Sequence, residues 1–271
     1  MAFDPDAVRA FEHAGWERVA AGYAGSFAVA TRPFIPALLD AAGVTEGRAV
    51  LDIACGPGFV TAAAAARRAL ARGLDFSAAM LAEARARHPA LPFDQGDAEM
   101  LPYDDAAFDA VVSNFGIHHV PRPALAVREA HRVLRPGGRF AFTVWAAPAE
   151  NIGWKLLFDA IARCGDPAAS DAPEPGGGFG SPAACRDVLA AAGFGAIETR
   201  PVSAVWRHPD SASLVGALRA GTARMAALIN AQDPAAMPAI LADIDRAAAP
   251  YRNSDELAVP IAAVVASGVR E

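Results

Sequence analysis

Between Asp52 and Gly58 the chain reads Asp-Ile-Ala-Cys-Gly-Pro-Gly, and a second carboxylate, Asp75, follows in Gly-Leu-Asp-Phe-Ser. An apolar stretch precedes each, so both read as buried strands ending at the carboxyl edge of a parallel sheet, where such sheets bind ligands. Glycines in the first turn let a ligand approach the backbone. A carboxylate closing the second strand can accept hydrogen bonds from both hydroxyls of a ribose lying across the strand ends. Two phosphate-binding alternatives are weakened by what is missing. Phe59-Val60-Thr61 has no lysine for a P-loop, and Thr61 stands where a dinucleotide fingerprint places its third glycine. The two motifs therefore suit a nucleoside with an amino-acid-like tail and no pyrophosphate.

The elements that must position these residues alternate. Strand-like runs are expected at 49–54, 69–75, 91–93, 108–113 and 139–145, with helices from Phe59, Ser77 and Arg122 between them. Such alternation predicts an α/β, doubly wound, mostly parallel sheet. Ser77 is placed to cap the helix that follows, and Pro136-Gly137-Gly138 is placed to stop a helix before the fifth strand starts near Arg139. Two or three helices are expected from Val8 to Ala42. After Trp145 come a helix over 152–164, a Pro/Gly/Asp-rich segment over 165–182 read as a lid, a helix over 183–192 and a long strand over 196–208. Residues 210–250 read as helical with breaks at Pro234 and Pro238. A last strand follows over 257–269, with Pro260 favouring an edge or a bulge. The chain reads as one domain, 1–271: a helical cap (1–45), a core (46–145), and helical insertions with the last two strands (146–271).

Composition narrows the function classes. The hydrophobic fraction is 54%, enough for a sizeable core, and the formal net charge is −6. An acidic chain is poorly suited to gripping nucleic acid or anionic lipid, so a small-molecule partner is expected. The three cysteines, Cys55, Cys164 and Cys185, are too few and too scattered for a disulfide framework or a four-ligand zinc site, and no metal is expected. The first residues carry acidic side chains and no long apolar run, which predicts neither secretion signal nor membrane anchor and a cytoplasmic setting. Monomer and homodimer both remain open.

Taken together, AVLDIACGPG, GLDFSAAML, QGDAEMLPYDDAAFDAVVSNFGIHHV and EAHRVLRPGGRF resemble, in order and spacing, the class I S-adenosylmethionine-dependent methyltransferases. The likeness is greatest to the small-molecule group that includes ubiquinone and menaquinone biosynthesis enzymes, and it covers about residues 48–145. It implies a seven-stranded Rossmann-like methyltransferase fold with N-terminal helices and helical insertions after the fifth and sixth strands. The implied cofactor is S-adenosyl-L-methionine, leaving as S-adenosyl-L-homocysteine.

The resemblance also assigns roles. The turn Asp52, Ala54, Cys55, Gly56 and Gly58 would take the methionine part, Asp75 the ribose, and Asp97 with the Ala98 N–H the adenine. Phe76 and Met80 would pack on the adenine faces, and Asn114 would face the methionine moiety. His118 and His119 follow the fourth strand near an acceptor. A histidine there can take a proton from a hydroxyl or thiol, although methyl transfer can also proceed by alignment and desolvation alone. Tyr23, Phe27, Trp145 and Trp154 come from regions that cover the acceptor site in such enzymes. The Asn/Asp-Pro-Pro-aromatic signature of amino-methylating enzymes is absent after Asn114. Arsenite methylation would need more converging thiols, and a nicotinamide dehydrogenase would need the third glycine. A non-catalytic protein that keeps the cofactor pocket is the alternative from another class.

Overall fold

The computed structural model describes residues 3–174 and 179–271. Its centre is β1 (Ala49–Ile53), paired in parallel with β2 (Leu70–Asp75) on one side and β4 (Phe108–Asn114) on the other. A strand with parallel partners on both edges and helices on both faces meets no water. This is why Val50, Leu51 and Ile53 run almost without polar interruption and are fully buried. β3 (Phe93–Gln95) flanks β2, and β5 (Leu134–Trp145) flanks β4. Beyond β5 lie β7 (Leu257–Arg270) and then β6 (Phe194–His208), with β7 antiparallel to both neighbours. The order β3-β2-β1-β4-β5-β7-β6 reverses between β1 and β4, and that reversal opens a crevice at their carboxyl ends.

The helices follow their sequence signals. In α4 (Phe59–Ala66) the N-cap is Gly58, at φ +80, and an added Cβ there would sit 2.7 Å from Phe93 Cζ. α5 (Ala78–Arg87) is capped by the Ser77 hydroxyl, which accepts the Met80 N–H at 3.1 Å. The N-terminal cap consists of α1 (Pro5–Tyr23), α2 (Ala28–Thr31) and α3 (Ile35–Ala41). α6 (Pro123–Val133) precedes β5. α7 (Ile152–Cys164) and α8 (Pro182–Ala191) come between β5 and β6, and α9 (Ser211–Gly221), α10 (Ala223–Asn230) and α11 (Met237–Ala247) between β6 and β7.

Several elements differ from the sequence expectation. β3 begins at Phe93, two residues later than the expected 91, because Pro92 has no N–H for the ladder; it contributes only its carbonyl, to Gly73 N. β5 begins at Leu134, already paired with Phe108, and the Pro136-Gly137-Gly138 segment is an irregularity within the strand rather than the turn before it. Pro238 starts α11 instead of breaking a helix, since the first turn needs no N–H there, while the unforeseen break between α9 and α10 falls at Thr222, whose hydroxyl accepts the Met225 N–H. β7 is an internal strand. Pro260 is tolerated because the β5 ladder ends at Trp145 opposite Ala263, which leaves Pro260 exposed beyond its neighbour's end.

Residues 175–178 of the segment expected as a lid lie outside the described residues. Phe179, just after them, is buried against Phe142, with ring centroids 5.8 Å apart. Among the described residues, no helix is long and apolar enough to cross a membrane.

Candidate active site

The crevice holds a cleft of about 950 Å³, a volume that includes space open to solvent, at the place where open α/β sheets bind their ligands. Its floor is the turn after β1. Ala54 stands at φ +55 and Gly56 at φ +52, and Phe115, after β4, is also left-handed at φ +57. Non-glycine residues rarely adopt that region, and such strain concentrates where a fold presents backbone to a ligand. The two turns are pressed together: a Cβ on Gly116 would come 2.5 Å from the Ala54 Cβ.

Two carboxylates hold this floor. Asp75 Oδ2 accepts the Gly56 N–H at 2.8 Å and Oδ1 accepts the Ser77 N–H at 2.9 Å, so the end of β2 is tied to the β1 turn. Burial pushes the Asp75 carboxyl up to about 6 against the pull of those N–H groups. Asp52 Oδ2 accepts both the N–H and the hydroxyl of Thr61, at 2.9 and 2.7 Å, while its Oδ1 is buried without a partner among the described residues. Burial, reinforced by the nearby Asp75 charge, raises Asp52 to about 7. An orphaned acceptor costs free energy, on the order of 1–3 kcal/mol, so its place in the cleft wall marks an atom still able to take a donor.

Of the residues singled out from the sequence, Tyr23, Asp52, Ala54, Cys55, Gly56, Asp75, Phe76, Met80, Asp97, Ala98, Asn114 and His119 line this cleft together. Gly58 lies beneath it as the α4 cap. His118 is not among the lining residues; its ring packs on His119 with centroids 4.2 Å apart, and burial, then the His119 and Arg224 charges, hold it well below the usual histidine value. Phe27, Trp145 and Trp154 lie behind the wall in one aromatic core with Trp206. Trp145 stacks on the back of Phe115 at 3.9 Å.

Sequence reading picked out Tyr23 at the end of α1 but missed the charged side chains of that helix. Arg9 reaches across to the Asp97 carboxylate and, at 2.6 Å, to Glu99. Glu12 is fully buried on the same helix, bonded to Arg224 and Trp16 and close to His119. Nothing local announced these residues, because Glu12 and Arg224 are 212 positions apart. Thr31 was also missed: its carbonyl accepts from Asn114 Nδ2 at 3.2 Å, while Thr143 Oγ1 donates to Asn114 Oδ1 at 2.6 Å.

Residues 51–142 match the family described as "Methyltransferase domain". Over those residues the chain is similar to a methyltransferase domain. The chain is 41% identical over 112 residues to a demethylmenaquinone methyltransferase of Beutenbergia cavernae, covering 41% of this chain and 47% of that one. It is 36% identical over 134 residues to a malonyl-[acyl-carrier protein] O-methyltransferase of Erwinia billingiae, covering 44% and 53%. The chain thus spans about half the length of the curated relatives it matches. Among solved structures, a SAM-dependent methyltransferase of Thermotoga maritima, titled a possible histamine N-methyltransferase, superposes with a TM-score of 0.57 at 19% identity, covering 96% of this chain and 100% of that chain. That likeness carries the mostly parallel seven-stranded fold. The cleft described above lies at strand carboxyl ends that fall within the matched residues.

Proposed function

We propose that the protein transfers the methyl group of S-adenosyl-L-methionine to oxygen, carbon or nitrogen of a small organic acceptor by in-line displacement, releasing S-adenosyl-L-homocysteine. One observation carries the reading: Asp75, buried at the end of β2, is pinned to the β1 turn yet opens on the cleft. Each of its oxygens takes one backbone N–H and keeps a lone pair for a ribose hydroxyl. Supporting the reading, the buried Asp52 Oδ1 has no partner among the described residues and would be free to accept from the cofactor's ammonium, directly or through water. Asp97 and the Ala98 N–H would hold adenine, with Phe76 and Met80 against its faces, and Asn114 would face the methionine part. S-adenosylmethionine supplies an electrophilic methyl on a positively charged sulfur. The chain's own share is to orient and to exclude water, effects that can replace much of the barrier. In this reading the chain works as one domain, with 1–45 and 146–271 closing the acceptor side.

Calorimetric titration tests the assignment, with S-adenosylmethionine and S-adenosylhomocysteine as ligands and NAD as control. Asp75→Ala should weaken both cofactor forms about 10- to 150-fold, the worth of a hydrogen bond to a charged group, while circular dichroism stays native. Unchanged affinity would sink the site. Cofactor binding without turnover of any quinol, phenol or amine would favour a non-catalytic, cofactor-sensing protein.

A further inference from the structure

Glu12 is a carboxylate with 0% exposure on the inner face of α1. Its Oε1 accepts from Arg224 Nε on α10 at 2.7 Å, and its Oε2 accepts from Trp16 Nε1 at 3.0 Å and lies 3.2 Å from His119 Nδ1. Arg224 balances the carboxylate's charge across the α1–α10 contact. Burial would raise the Glu12 carboxyl, but His119 and Arg224 outweigh burial and hold it below the usual range, as an ionised group. The two His119 nitrogens differ. Nδ1 is enclosed 3.2 Å from the Glu12 carboxylate, with no hydrogen bond of regular geometry among the described residues, whereas Nε2 is not enclosed and His119 lines the cleft. A carboxylate facing Nδ1 assigns the proton to that nitrogen and leaves the Nε2 lone pair outward.

The other groups facing His119 are Trp16, edge-on at 4.9 Å, and His118, on the same turn. Tyr23 stands edge-on to Trp16 at 5.9 Å, and Phe115 and Val120 complete an apolar wall with one proton acceptor in it. Resting on the methyl-transfer reading, we infer that Glu12 is a positioning residue that fixes His119 as the proton acceptor for the hydroxyl of a planar aromatic methyl acceptor. His119 Nε2 takes the hydroxyl proton as the oxygen forms its bond to the methyl carbon. The carbon–sulfur bond breaks with its electron pair left on sulfur, and the imidazolium later returns the proton to water. Such a base matters only where the hydroxyl is still protonated. A phenol with a pKa of about 10 is almost wholly un-ionised at neutral pH, whereas an acidic phenol brings its own anion.

The test is a series of phenols and naphthols running from weakly acidic 4-methoxyphenol to 4-nitrophenol, which is largely ionised at mildly alkaline pH. Each is assayed for methylation with the full chain and S-adenosylmethionine. His119→Ala should lower kcat for 4-methoxyphenol by about 10²- to 10⁴-fold, the usual share of a general base, and for 4-nitrophenol far less. Glu12→Gln should show the same dependence on acidity with a smaller loss, unchanged KM and unchanged S-adenosylhomocysteine affinity by calorimetry. If the uncompensated Arg224 unfolds that variant, Glu12→Gln with Arg224→Gln restores the charge balance and carries the same expectation. Equal losses across the series, no loss, or a cofactor-binding protein that methylates none of these compounds would each overturn the inference. Failure of the unaltered protein to bind S-adenosylhomocysteine is a different result: it removes the cofactor reading, and the inference with it.

Discussion

The two sides of the cleft are built by different means. The β1-β2-β4 side is made from backbone: left-handed turns at Ala54, Gly56 and Phe115, N–H groups at Gly56 and Ser77, and two carboxylates that order them. Its members lie close together in the chain, each at a strand end. The α1 side is made from long side chains that meet across the fold, Arg9 with Asp97 and Glu99, and Glu12 with His119 and Arg224. A strand-end site inherits its precision from the sheet's hydrogen bonds. A side-chain site must be held by packing and by charge pairs whose partners come from separate elements.

That contrast can be broken or sharpened by substitution. The largest effect is expected behind the strand-end side: Trp145→Ala removes the ring stacked on Phe115 and should cost about 3 kcal/mol in denaturant unfolding. S-adenosylhomocysteine affinity should stay within about twofold, since Trp145 is not a lining residue; a large affinity loss would show that the strand-end wall and the aromatic core behind it are mechanically one. Gly58→Ala should cost about 2–3 kcal/mol, because a left-handed φ and a Cβ 2.7 Å from Phe93 act together, and it should weaken the cofactor as well. A destabilised variant with native affinity would mean that α4 does not shape the turn.

The most diagnostic effect, seen only as a dependence on pH, belongs to Asp52. Its folded carboxyl, raised to about 7 from an ordinary value of 3.8, keeps its proton to higher pH than in the unfolded chain. The corresponding stability is fully present below the ordinary value and is lost as pH rises through about 7. Asp52→Asn should therefore unfold like the unaltered protein in acid and become progressively more stable than it as pH rises through neutrality, as read from denaturation midpoints across pH. An unchanged pH profile would show that Asp52 is ionised and paired in the native state.

Much of this was legible in one dimension. Val50, Leu51 and Ile53 before Asp52, Ser77 before α5 and Gly58 before α4 are local signals, because helix caps and strand ends are decided by neighbours in the chain. Other features depended on partners far away. Pro136 to Gly138 read as a turn, yet they bulge within β5 because Leu134 finds Phe108 across the ladder. Pro260 read as an edge signal, yet it lies in an internal strand because β5 stops short of it. Phe27 and Trp145 read as candidate lining residues, and their aromatic partners draw them into the core behind it.

The sequence by itself determined the alternating elements, the glycine turn and the carboxylate that closes β2, because each rests on local conformational preference and on the period of apolar residues. Only the tertiary structure decided that Glu12, His119 and Arg224 share one buried cluster and that His119, not His118, faces the cleft. The physical reason is that a buried charge is tolerated only beside its partners, and which partners can reach it depends on how α1 and α10 pack over the end of β4.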